Sequence, residues 1–150
     1  MARSKLELNR FLPYRLSVAS NALSQVIARA YESSHDLSMQ EWRLIAVLGE
    51  AERLTQQGLV AKTKMDKVTV SRAARSLEEK RIVRREANED DARSLWLSLT
   101  AEGRKIYVKV VPAAVELERE VLKGFSAKEI SELEALLVRV EEAADRVLAK

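Results

Sequence analysis

Two stretches of the chain carry side chains whose type and spacing suit hydrogen-bond recognition. The first, DKVTVSRAARS over 66–76, holds Thr69, Arg72 and Arg75, with Lys67, Val68 and Ser71 beside them. A guanidinium is a rigid planar fork that donates two parallel bonds, the geometry that grips the edge of a guanine. A threonine brings a hydroxyl for hydrogen bonding and a methyl that can meet a thymine methyl. Lys62, Lys64 and Lys67 fall near helix ends and offer point charges to passing phosphates, the sequence-independent part of polyanion binding. The second stretch, DARSLWLSLTAEG over 91–103, sets Arg93 two residues after Asp91, just before an alternating run. Narrow minor grooves attract arginine through their negative potential. Asp91 could accept the guanidinium bonds of Arg93 and hold it in a bound-like pose. The plainer alternative is a surface ion pair worth about 1 kcal/mol or less.

Charge placement points the same way. The chain has 150 residues and a formal net charge of +3. Residues 62–85 hold nine cations against three anions, whereas the chain from Pro112 onward holds six cations against nine anions. A basic middle and an acidic tail suggest a polyanion partner for the middle alone. Most charge runs are solvated helix faces, so the elements around this one must decide.

Other chemistry is poorly provided for. There is no Cys and a single His, His35, so thiolate sites and histidine metal ligation have no basis. No glycine-rich phosphate loop and no nucleophile–base pair stand out. The expectation is no enzyme, no metal and no cofactor. No apolar run approaches the roughly 20 residues of a membrane span. The opening MARSKLELNRFLPYR lacks the apolar core of a secretory signal. A cytoplasmic protein without membrane contact is expected.

The elements that must position these side chains are legible from periodicity and caps. Residues 11–30 read as a helix, with Leu12, Leu16, Ala19, Leu23, Val26 and Ile27 at three- and four-residue steps and Pro13 in its first turn. Residues 32–36 read as a loop. Ser38 with Glu41 forms a capping box for a helix that fades near Glu50. Thr55 caps a short helix over 56–63, and Asp66 caps another running to about Lys80 that buries Val70, Ala73, Ala74 and Leu77. Ile82 and Val83 leave in extended form, 86–92 is a polar turn, and 94–99 is an alternating strand. Thr100 caps a long helix that Pro112 should kink or break. Ser126 opens the last helix, whose Ile130, Leu133, Leu137, Val140, Ala144 and Val147 form a coiled-coil-like seam.

The fold class that follows is mainly α with a small β-hairpin. It is a winged helix-turn-helix with N- and C-terminal dimerisation helices. A single domain over 1–150 would contain a DNA-binding lobe at 37–99 and helical dimerisation regions at 1–31 and 100–150. In such a fold the second helix of the turn lies in the major groove.

Three segments carry a family resemblance. LSMQEWRLIAVLGE (37–50), LTQQGLVAKTKMDKVTVSRAARSLEEKRIVRRE (54–86) and the Asp-x-Arg, Leu-x-Leu-Thr and Gly of 91–103 resemble the MarR family of bacterial transcriptional regulators. The resemblance implies a triangular homodimer whose first and last helices interleave at the apex. It implies base-reading roles for Thr69 and Arg72 and wing roles for Asp91 and Arg93. It also implies a pocket for an aromatic acid or phenol. Gly58, Thr63, Lys64, Arg81 and Ala92 depart from the family's usual pattern.

The function expected is a sequence-specific double-stranded DNA-binding transcriptional regulator, a repressor by the family's usual mode. It would act as a homodimer on a pseudo-palindromic operator and be released by a small aromatic or phenolic ligand. That ligand could use Tyr14, Arg15, Trp42 and Arg43, with Tyr107 from the long helix; an arginine plus rings suits an aromatic carboxylate. The bland alternative makes Tyr14 and Trp42 core residues and Arg15 and Arg43 surface cations. The rival function is a winged-helix protein-interaction module without specific DNA readout.

Overall fold

A computed structural model describes residues 5–150; the first four residues of the expected N-terminal region lie outside the described residues. The chain forms two compact units, one ending at Val115 and one running from Glu116 to Lys150.

In the first unit a 3-10 turn, Leu8–Arg10, precedes α1, Leu12–Ala28, with Pro13 in its opening turn. The segment read as a loop holds a single helical turn, α2, Glu32–His35, ended by Asp36 at φ 49°. Helix α3, Met39–Ala51, opens on the expected capping box: Ser38 Oγ accepts from the Glu41 amide at 3.1 Å, and Glu41 Oε1 accepts from the Ser38 amide at 3.2 Å. Strand β1, Arg53–Thr55, leads into α4, Gln56–Thr63, where Thr55 Oγ1 accepts from the Gly58 amide at 3.0 Å. Helix α5, Lys67–Glu79, is capped by Asp66, whose Oδ1 accepts from the Thr69 amide at 2.8 Å. Strands β2, Val83–Ala87, and β3, Leu95–Leu99, form the hairpin, and Thr100 caps α6, Ala101–Val121.

Two expectations need correction. Pro112 does not break α6, which runs continuously past it. The proline removes one hydrogen bond and crowds the carbonyl four residues back, a cost of about 3 kcal/mol, which the other turns of this 21-residue helix, with Ile106 and Val110 buried, offset. The hairpin is also not alone. The sheet has three antiparallel strands in the order β1-β3-β2, with Leu54 opposite Leu97. Three residues are too few to display an alternation, so β1 left no periodic trace.

The core lies where α3, α4 and α5 meet the sheet. Leu44, Ile45, Leu48, Leu59, Val70, Ala74 and Leu77 are completely buried there, with Val83, Leu97 and Leu99 from the strands. Burying such side chains contributes about 1.5–3 kcal/mol each for the larger ones. This core fixes α5 by its Val70, Ala73, Ala74 and Leu77 face, the four positions read from the sequence.

The second unit contains the end of α6, a 3-10 turn at Leu122–Gly124, and α7, Ala127–Leu148. Ser126 and Glu129 close the capping box of α7, and none of its residues is buried.

Candidate nucleic-acid interface

The geometry of the helix-turn-helix is set by its turn. Lys64 adopts a left-handed φ of 57° and donates its amide to Val60 O at 2.9 Å, which ends α4. Thr63 stands where an apolar residue is usual and works instead by hydrogen bonding. Its hydroxyl donates to Leu59 O at 2.7 Å and accepts from the Met65 amide at 3.3 Å. The far end of α5 is closed as firmly. Arg81 sits at φ 60°, with its amide on Glu78 O and the Ile82 amide on Leu77 O, both at 2.9 Å. That pair of bonds is a Schellman motif completed without glycine.

With its inner face buried, α5 presents Lys67, Val68, Arg72 and Arg75 to solvent, while Thr69 and Ser71 are half-buried. The Thr69 hydroxyl donates to Asp66 Oδ2 at 2.7 Å. This uses its only donor and leaves its acceptor lone pairs and methyl for any partner. The Thr69 hydroxyl, and then its amide, hold the Asp66 carboxyl below the usual aspartate range. Lys62 and Lys64 are exposed at the end of α4 and in the turn. A groove of about 440 Å³ is lined by Gln56, Gln57, Val60 and Lys67. Neither glutamine is among the candidates read from the sequence, although two adjacent amides in the first turn of α4 are a visible polar signal.

Not every cation of the basic stretch faces outward unpartnered. Lys80 Nζ lies 2.9 Å from Glu41 Oε2, Arg84 Nε lies 3.2 Å from Glu86, and Arg85 Nε lies 2.7 Å from Glu78.

The turn between β2 and β3 is organised by its own polar side chains. Asn88 Nδ2 donates to Ser94 Oγ at 2.9 Å, and Asn88 Oδ1 accepts from the Asp90 amide at 3.0 Å. Asp91 Oδ1 accepts from the backbone amide of Arg93 at 2.9 Å. This corrects the expected carboxylate–guanidinium contact. An aspartate bonds readily to the amide two residues on, which closes the turn locally. Asp91 therefore fixes the backbone under Arg93, and the exposed Arg93 side chain makes no ion pair among the described residues. Near the turn end of the hairpin the Arg53 guanidinium lies 4.4 Å over the Trp96 ring, and Trp96 is opposite Thr55 and Glu86 in the ladder.

The residues considered for an effector are dispersed in character. Tyr14 and Arg15 are exposed on α1, and Arg43 is half-buried. Trp42 is a core residue, stacked on buried Tyr31 with ring centroids 5.6 Å apart. Tyr107 packs its ring against Gly49, where a Cβ would overlap it. A cavity of about 470 Å³ is lined by Asn21, Ser24, Gln25, Ala28, Tyr31, Glu32 and Met39, and by none of these five residues. Burial, and then Glu32, raise the Tyr31 phenol above its ordinary range, while Arg43 opposes them.

A capped helix-turn-helix with a cationic outer face on its second helix, followed by an antiparallel hairpin, defines the winged helix-turn-helix class. The comparisons with known proteins narrow the class. Residues 35–94 match the sequence model of the MarR family. The chain is 34% identical over 125 residues to the HTH-type transcriptional regulator PecS of Dickeya dadantii (strain 3937), covering 79% of this chain and 75% of that one. A crystal structure of a MarR/EmrR family transcriptional regulator from Acinetobacter sp. ADP1 is similar at a TM-score of 0.85 and 28% identity, over 94% of this chain and 99% of that chain. A mutant MarR from Escherichia coli, complexed with operator DNA, shares the fold at a TM-score of 0.77 and 23% identity, over 86% of this chain and 92% of that chain. The chain belongs to the MarR family of transcriptional regulators, and its relatives are regulators rather than enzymes.

Proposed function

We propose that the protein is a homodimeric repressor that reads a pseudo-palindromic operator with α5 and grips the adjacent minor groove with Arg93. The observation that carries this reading is the outer face of α5. There Lys67, Val68, Arg72 and Arg75 are exposed on a helix held rigidly by a cap, a Schellman motif and a buried inner face. In this reading Arg72 reads a base with its fork, Thr69 presents its methyl and lone pairs, and Ser71 and Arg75 flank them. Lys62, Lys64 and Lys67 take phosphates. Asp91 keeps the backbone that projects Arg93.

Residues 37–99 are the DNA-binding lobe, and 1–31 and 100–150 supply the dimer. Support for the dimer comes from each unit separately. Helix α1 exposes Leu12, Tyr14, Leu16, Val18 and Leu23, and α7 exposes Leu133, Leu137, Val140 and Val147. Apolar faces of this kind on a regulator need a partner surface. A two-fold dimer then matches half-site centres about one turn, roughly 10 bp, apart.

A small phenolic or aromatic effector would act only by favouring a DNA-incompetent spacing of the lobes. The cavity beside Tyr31 offers amides, a hydroxyl and a phenol to such a ligand. No helix among the described residues is long and apolar enough to cross a membrane. That suits work beside DNA in the cytoplasm.

The test is Arg72→Ala on duplexes selected by the wild type. It should relax preference at one base position in each half-site by about 1–3 kcal/mol. Equal loss on every sequence would make Arg72 a phosphate contact. Weak, sequence-blind binding by the wild type would favour a protein-interaction module instead.

A further inference from the structure

We propose that Glu41 is a positioning residue for base discrimination: with Lys80 it fixes the roll of α5 about its own axis. This rests on α5 being the base-reading helix. Glu41 is 7% exposed, the only buried charged residue among those described. Its Oε1 is held by the Ser38 amide at 3.2 Å. Its Oε2 accepts from Lys80 Nζ at 2.9 Å and from Ser76 Oγ at 3.2 Å. Lys80 Nζ donates again, to Asp36 O at 3.0 Å, where the chain turns at φ 49°. One carboxylate thus ties the start of α3 and the loop before it to the last turn of α5.

The buried face holds α5 on the core, and the bonds to Glu41 add a directional restraint on its roll. Two of its four inner residues, Ala73 and Ala74, are small, and burial is non-directional. Charge-assisted hydrogen bonds are directional and weaken steeply when bent. The anchor also sits where roll matters. A groove of about 280 Å³ is lined by Glu41 and Ser76 together with Thr69 and Arg72. Arg72 and Ser76 are one turn apart on one side of the helix. A small rotation misaims a bidentate arginine but leaves long, flexible lysines still able to reach phosphates. Loss of the anchor should therefore reduce discrimination more than affinity.

The experiment uses the full chain, a duplex selected from a random pool, and single-base variants at the position that Arg72→Ala relaxes. Glu41→Gln keeps the cap through its one oxygen, turns the atom facing Ser76 Oγ from acceptor to donor, and removes the charge that holds Lys80. Lys80→Met removes the ammonium, and Lys80→Arg restores a cation. Preference for the selected base should fall about five- to tenfold in Glu41→Gln and in Lys80→Met. Lys80→Arg should recover part of it, and the dependence of affinity on salt should stay unchanged in all three. Uniform weakening on all duplexes, in step with lowered melting temperature, would reduce Glu41 to a stabilising residue and overturn the proposal. So would wild-type discrimination in both Glu41→Gln and Lys80→Met. A wild type with no sequence preference would overturn the DNA reading itself and the proposal with it.

Discussion

At the scale of single residues, the polar groups divide into those that face outward and those that hold the outward ones still. Arg72 and Arg93 are of the first kind; Asp66, Asp91 and Glu41 are of the second. The division was only partly legible in the sequence. Asp66 was readable as a cap because an N-cap aspartate and the helix behind it are neighbours in sequence. Asp91 was readable as a partner of Arg93, but which atom it binds depends on turn geometry that residue types do not specify. Glu41 was readable as half of a capping box. Its bonds to Ser76 and Lys80, 35 and 39 residues away, have no local signature.

Two predictions belong to this scale. Asp91→Ala removes the acceptor of the Arg93 amide and should weaken operator binding at least fivefold while lowering folding stability by no more than about 1 kcal/mol. Unchanged binding, measured by fluorescence anisotropy, would separate the turn from DNA recognition. The second concerns pH. Burial pushes the Glu41 carboxyl up, but the bonds from Lys80 and Ser38 outweigh it and leave it below the ordinary glutamate range. A lowered folded-state pKa contributes stability that is fully present above the unfolded value, about 4.3, and is lost as pH falls through the folded one. The melting-temperature gap between wild type and Glu41→Gln should therefore be widest near neutrality and close in acid. A gap that does not depend on pH would contradict the assignment.

At the scale of elements, hydrogen-bonded ends explain why the helices were easy to find. Ser38, Thr55, Asp66, Thr100 and Ser126 each accept the expected amide three residues on. Their signal is local, so it survives without any knowledge of the fold. Strand β1 and helix α2 have no trace in the sequence because three or four residues hold no period, and β1 exists through its pairing with β3, distant in sequence. Arg81 was readable as a departure from the usual glycine, and its left-handed φ is the consequence. Arg81→Gly should raise stability by about 0.5–1 kcal/mol, the relief at a left-handed residue less the added unfolded-state entropy. Gly103 is the opposite case. A Cβ there would lie inside contact distance of the Ile82 carbonyl oxygen, which already accepts from the Thr100 amide at 3.0 Å. Gly103→Ala should destabilise by about 1–3 kcal/mol, because backbone rather than a side-chain end must move. Thermal melts of the two variants moving in the same direction would contradict this reading of the α5–β2 and β3–α6 junctions.

At the scale of the whole molecule, the proposed function combines a reading lobe with exposed apolar helix faces suited to a second copy. Pairing inside the protein tempers the basic stretch, since Lys80, Arg84 and Arg85 are engaged by Glu41, Glu86 and Glu78. Salt dependence should thus reflect the exposed cations of α5, the turn and the wing rather than the total charge of residues 62–85. The direct measurement is selection of bound duplexes from a random pool, with the stoichiometry of the selected complex determined by mass. The account predicts an enriched pseudo-palindrome with half-site centres about 10 bp apart, bound by two chains. Recovery of no enriched sequence, or of an asymmetric site bound by one chain, would contradict it.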